Sequence, residues 1–222
     1  MANETVHPEM YAERLTAKFV MGGALAETLT GAGTLVLAII GLAGFMPMTL
    51  LSIATIGLGA SFLLEGGAVV TRLSDVISEA TEGRVDIAEL GGGLSAEFIA
   101  GLGGIALGIL SLVGVMPMIL TAVAAIVFGG ALIVGAGVKS RLSHFTIGEE
   151  EHRLVRVMLR EAVMASGGVQ LLVGLVAIVL GILALINIAP LELTLIAVLS
   201  AGGVVLLGGS ALGARMVGLF RH

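Results

Sequence analysis

Long apolar stretches recur along the chain, over 24–45, 48–68, 94–115, 118–138, 168–188 and 192–213. Each has the roughly 20 residues that a helix needs to cross a hydrocarbon core of roughly 30 Å. They come in pairs. Within a pair the only punctuation is a proline: Phe45-Met46-Pro47-Met48, Val115-Met116-Pro117-Met118 and Ile188-Ala189-Pro190-Leu191. Proline cannot continue a helix, disfavours helical geometry in the residue before it, and suits the first turn of a new helix. The pattern predicts a first helix ending near Met46 and a second starting at or just after Pro47, with the same bend at Pro117 and Pro190. The expected fold is all-α: a polytopic membrane protein whose six transmembrane helices form three tandem, parallel helical hairpins.

The pairs are in register. A shift of 70 residues lays Glu27 on Glu97, Gly31 on Gly101, Gly33 on Gly103, Met46-Pro47-Met48 on Met116-Pro117-Met118 and Gly59 on Gly129. A further shift of 73 lays Glu97 on Gln170, Gly101 on Gly174, Gly108 on Gly181, Pro117 on Pro190 and Gly129 on Gly202. This divides the chain into an N-terminal segment 1–21, hairpins 22–70, 93–138 and 167–213, linkers 71–92 and 139–166, and a tail 214–222. The methionines flanking two prolines fit a flexible apolar filler better than a copper-binding pair, since Ala189 and Leu191 replace both in the third copy.

Charge fixes an expected orientation. Every Lys and Arg lies in the termini or the two linkers, whereas the three proline turns hold one charge, Glu192. By the positive-inside rule, both termini and both linkers are cytoplasmic. Residues 71–84 place Leu73, Val76, Ile77 and Ala80 on one helical face, and residues 148–166 do the same with Leu154, Val155, Met158, Leu159 and Ala162. Both read as amphipathic helices at the cytoplasmic surface. They pack on the protein's own hairpins, or sense lipid, or dock a cytoplasmic protein partner. The run Glu149-Glu150-Glu151 fits a helix N-terminus.

The first helix of each pair carries a stripe of small residues. Gly31, Thr34, Ala38 and Gly41 become Gly101, Gly104, Gly108 and Ser111, then Gly174, Ala177, Gly181 and Ala184. This heptad-like seam predicts close helix packing through van der Waals contact. Glu27, Glu97 and Gln170 stand four residues before the stripe, on the same face, so they should point toward protein. Each also lies 20 residues before its proline, about 30 Å of helix, which places it near the cytoplasmic interface. They read either as interfacial anchors or as a polar ring that binds a proton or cation.

Composition agrees with a membrane protein and narrows the chemistry. Hydrophobic residues make up 57% and charged ones 12%, and the mean hydropathy is +1.12. Glycine is abundant, 34 of 222 residues, about twice the usual share of roughly 7%. With no cysteine, disulfides, thiolate metal sites and cysteine nucleophiles are excluded. A net charge of −5 gives no reason to expect nucleic acid. Gly101-Leu102-Gly103-Gly104-Ile105-Ala106 matches a dinucleotide pattern, but it follows no strand and lies in a span. Glu149-x-x-His152 lacks the second such motif of a di-iron site. The four histidines fall outside the spans, so no nucleophile–histidine–acid set forms there. No catalytic residue, cofactor or metal is expected.

The third copy is similar to the short repeat of the HdeD-like family, six-helix bacterial inner-membrane proteins linked to acid resistance. Gly181-Ile182-Leu183, Pro190, Gly202 and Gly208 carry the likeness, and Gly108-Ile109-Leu110 with Pro117 repeat it. Copy one has Ala38-Ile39-Ile40 instead, and the chain lacks the tryptophans often seen in such proteins. The resemblance implies a bacterial inner-membrane location and a role in membrane stress, and it assigns no catalytic residue. The expected function is thus non-enzymatic: a structural or assembly role through glycine seams, with the bilayer, further copies of the chain and a cytoplasmic protein as the partners to expect. The alternatives are a small transporter or channel with the polar ring at its mouth, and an accessory subunit docking through its linkers.

Overall fold

A computed structural model of the chain describes the backbone of residues 28–79, 87–145 and 153–219, and the side chains of 28–66, 96–137 and 167–208. Six helices make up nearly all of it: α1 (Thr28–Leu42), α2 (Pro47–Glu79), α3 (Ile87–Leu112), α4 (Pro117–Phe145), α5 (Arg153–Leu185) and α6 (Pro190–Leu219). There is no strand among the described residues.

The proline starts each second helix, but the bend lies before it. α1 ends at Leu42, not near Met46 as the proline alone suggests, because glycine stops it. Phe45 N–H donates to Ile40 C=O and Gly44 N–H to Gly41 C=O, the paired bonds of a Schellman cap, and Gly44 takes the left-handed conformation that the cap requires, φ 90°. The same bonds recur after α3, from Val115 to Leu110 and Gly114 to Ser111, and after α5, from Ile188 to Leu183 and Asn187 to Ala184. Asparagine is the usual substitute for glycine there, and Asn187 has φ 67°. The residues preceding proline, Met46, Met116 and Ala189, also have positive φ, 38°, 37° and 38°. Their carbonyls accept the first bonds of the next helix, from Leu50, Leu120 and Leu193. The reversal therefore takes four residues.

The expected surface helices differ too. Residues 71–79 continue α2, and residues 153–166 form the start of α5, with no break from the apolar segments. Extending an existing helix adds one bond per residue fixed, whereas a separate helix must be nucleated. The faces predicted for these linkers, residues 80–86 and 146–152, the termini and all four histidines lie outside the residues with described side chains.

The helices pack as three inside three. α2, α4 and α6 touch one another at the centre. α3 sits between α2 and α4, and α5 between α4 and α6. α1 lies against α6 through Gly31 and Gly41, which face Leu206 and Leu195, and against α2 through a Ser61–Thr30 hydrogen bond. The seams between consecutive pairs are backbone contacts. A Cβ on Gly101 would stand 2.7 Å from the Gly59 carbonyl, one on Gly174 2.7 Å from that of Gly129, and one on Gly31 2.7 Å from Leu206 N. So α3 seals to α2, α5 to α4 and α1 to α6, and the last contact closes the ring.

The distribution of residue types is inverted relative to a water-soluble domain. The interior is rich in Ala, Gly, Ser and Thr, with Thr55, Thr121, Thr194 and Ser61 buried, while Leu, Ile and Val cover the outside. The buried hydroxyls bond within the helices: Thr55 to Leu51 C=O at 2.8 Å, Thr121 to Pro117 C=O at 2.8 Å. Four helices, Pro47–Gly66, Pro117–Gly137, Gly167–Leu185 and Pro190–Gly208, are long and apolar enough to cross a membrane, and the apolar stretches Thr28–Leu42 and Ala96–Leu112 are shorter. An apolar exterior around a small-residue interior is what lipid, and not water, selects. Helix length, hydropathy and this distribution of residue types all point to a membrane protein.

Candidate functional site

The polar groups at the end remote from the turns converge on a glycine. Glu97 stands one turn before Gly101 on α3, and the close α2–α3 seam carries it inward until it is only 1% exposed. Gln170 stands one turn before Gly174 on α5 and is likewise buried. Between them, on α4, is Gly135. A Cβ there would collide with Glu97 Oε1 and would lie 3.5 Å from Gln170 Nε2. Three helices thus bring a carboxyl group and a carboxamide over one patch of backbone that is accessible only because it has no side chain.

This assembly has definite chemical capacity. A carboxylate accepts hydrogen bonds, a carboxamide both donates and accepts, and a protonated carboxyl donates one. Burying the charged form is costly unless it is well partnered, so a carboxyl group at this depth depends on the polar groups that the neighbouring helices bring to it. Among the described residues no three His, Asp or Glu side chains gather as a metal cluster would require.

Two of the three residues expected to form a polar ring are therefore together, while Glu27 lies outside the described residues. Of the stripe residues, Gly31, Gly41, Gly101, Gly104, Gly108, Gly174 and Gly181 are all buried, each against the second helix of the neighbouring pair except Gly104, which faces the Phe128 ring of α4 in its own pair before Gly59 of α2. Ser111, on the same stripe, shares a 2.7 Å hydrogen bond with Ser52 of α2. Pro47, Pro117 and Pro190 each open a helix. Gly135 was not singled out by the sequence, although the 70-residue register pairs it with Glu65, a half-buried carboxyl group on α2, and so marks it as a polar level of the bundle.

Among the described residues, the inner helices bury hydroxyl groups and large apolar side chains but no carboxyl or carboxamide in their shared cluster. Leu58, Phe62, Phe128, Leu132, Val198 and Val205 from α2, α4 and α6 are buried in one cluster. The Phe62 and Phe128 rings stack with centroids 5.3 Å apart and planes at 16°. One further polar atom is buried nearby: Thr34 Oγ1 lies between α1, Gly57 of α2 and Gly202 of α6, with no hydrogen-bond partner among the described residues.

Comparison of the chain with protein-family models, with curated proteins and with solved structures gives no match. The functional reading therefore rests on the geometry above and on the sequence motifs.

Proposed function

We propose that this chain is a non-enzymatic integral membrane protein with a structural or assembly role, its six helices crossing the bilayer as three parallel hairpins with both termini cytoplasmic. The observation that carries this reading is the packed centre. Large apolar side chains from all three inner helices are buried together in one cluster, with the Phe62 and Phe128 rings stacked and the Phe128 ring lying against Gly104 of α3, and a packed interior of this kind supports a structural role over a central pore. The glycine seams serve packing within the molecule, and the broad apolar exterior leaves room for contact with further copies. The resemblance to HdeD-like proteins favours a bacterial inner membrane and a role under stress.

The buried Glu97–Gln170 pair favours a second reading, a transporter whose ion or proton path avoids the axis. Reconstitution separates the two. Purified protein in sealed vesicles is expected to pass neither protons nor monovalent cations above the leak of protein-free vesicles, and to run in detergent as a defined homo-oligomer by mass. Flux that disappears in the Glu27→Gln, Glu97→Gln double variant, with assembly unchanged, would overturn the structural reading.

A further inference from the structure

The three hairpins share a register, but the first differs in the seam between its own two helices. On α1, Thr30 and Thr34 meet Ser61 and Gly57 of α2. Ser61 Oγ donates to Thr30 Oγ1 or, at 3.2 Å, to Gly57 C=O, and a Cβ on Gly57 would stand 3.5 Å from Thr34 Oγ1. In the second hairpin the register puts Ala100, Gly104 and Ala131 at the positions of Thr30, Thr34 and Ser61, and in the third Val173, Ala177 and Val204. None of these has a polar side chain. Gly57 itself becomes Val127 and then Ser200, whose hydroxyl bonds Ile196 C=O of its own helix.

Thr34 sets this seam apart. Other buried hydroxyls turn back to the carbonyl four residues earlier: Ser52 to Met48, Thr55 to Leu51, Thr121 to Pro117 and Thr194 to Pro190. That local bond is open to any helical threonine. Thr34, only 1% exposed, does not make it, and its Oγ1 has no hydrogen-bond partner among the described residues. The rotamer is held from the other side. A Cβ on Gly202 of α6 would stand 2.9 Å from Thr34 Cγ2 and 3.2 Å from its Cβ, so the threonine methyl occupies the space that this glycine leaves. With the methyl seated there, the hydroxyl is turned toward Gly57. Thr34 is near the midpoint of the apolar stretch 24–45, where a hydroxyl without a partner is costly. The rotamer therefore calls for a polar partner that no described residue provides.

A single water molecule fits the size and the chemistry. A buried water needs roughly 2–4 polar partners. Residues four apart on a helix are separated by about 6 Å along its axis, two hydrogen-bond lengths of about 3 Å. A water midway between the Thr30–Ser61 and Thr34–Gly57 levels can therefore bond to both. Gly57 leaves the room, since Thr34 Oγ1 alone stands within 4 Å of where its Cβ would be. The direct Ser61–Thr30 contact closes the seam one turn away, which limits the ligand to something small. We propose that the α1–α2 seam binds a water molecule that bridges Thr34 Oγ1 to the Thr30–Ser61 hydroxyl pair and Gly57 C=O. The site is independent of whether the molecule transports.

Thr34→Val removes the hydroxyl and keeps the branched shape. With water bound, this variant is expected to melt in detergent about 2–4 °C below the unaltered protein, the effect of losing one hydrogen bond in a chain of this size. An unchanged or raised midpoint would show that the hydroxyl had no partner to lose, and would overturn the proposal. Thr30→Val with Ser61→Ala installs residues that the third and second hairpins carry at these positions. It removes the other two hydroxyls and leaves every backbone carbonyl in place. In that background Thr34→Val is expected to lower the midpoint by less. An equal drop in both backgrounds would mean that the hydroxyl turns to the Thr30 carbonyl instead, which overturns the proposal as well. If the double variant does not fold, an X-ray map of the unaltered protein that resolves ordered water decides the matter. Water within hydrogen-bond reach of Thr34 Oγ1 and of Thr30, Ser61 or Gly57 supports the site, and Thr34 bonded to Thr30 C=O, or with no water beside it, contradicts it.

Discussion

At Gly135 a single hydrogen atom in place of a methyl group is what allows Glu97 and Gln170 to share a position. Gly135→Ala forces the Glu97 carboxyl to shift within a closed interior, and the expected loss is about 1–3 kcal/mol. The same substitution in a Glu97→Ala background should cost little, because the clashing group is gone. A double-mutant cycle by thermal unfolding in detergent measures the difference, and equal losses in both backgrounds would show that the contact is not the cause. The turns give a second comparison. Gly114 has φ 93° and Asn187 has φ 67°, so Gly114→Ala should lose roughly 1–2 kcal/mol, whereas Asn187→Gly should be neutral or slightly stabilising. A melt series on the two variants decides it.

Between elements, what matters is which glycines face a backbone and which face outward. Gly101 and Gly103 are two residues apart on α3, yet a Cβ at Gly101 meets Gly59 and Leu63 while one at Gly103 meets nothing within 4 Å. Gly101→Leu is expected to separate α2 from α3, with a loss of about 3 kcal/mol or more. Gly103→Ala is expected to gain up to about 1 kcal/mol from helix propensity. Comparable effects of the two would mean that the α2–α3 seam is not as described. This contrast also shows what could be read in advance. All-helical architecture and apolar spans were legible, because length and hydropathy are properties of one segment at a time. That Gly101 and Glu97 share a face was also legible, from helical spacing. Which helix the stripe would meet was not, since spacing gives a face but no partner. Gly44 and Gly114 were legible in principle as cap glycines, three residues before each proline. The stronger proline signal drew the helix end to Met46. Gly135 was harder still, because its importance lies in what α3 and α5 place above it.

For the molecule as a whole, one buried apolar cluster ties α2, α4 and α6 together. Phe128→Ala removes one ring of the stacked pair from a fully buried site, and the expected loss is about 3–5 kcal/mol. Reconstituted vesicles bearing this variant, compared with the unaltered protein, test whether the aromatic pair also seals the bundle: a cation leak appearing only in the variant shows that it does.

The seam between α1 and α6 has its own consequence. Since it joins the first described helix to the last through the same kind of glycine contact as α2–α3 and α4–α5, peptide connectivity at any one linker is dispensable to the architecture. A circularly permuted chain, opened between 79 and 87 with its original ends joined by a flexible tether, should insert and melt within a few degrees of the parent, and an inability to insert would mean that the order of synthesis, and not the closed contact surface alone, builds the bundle.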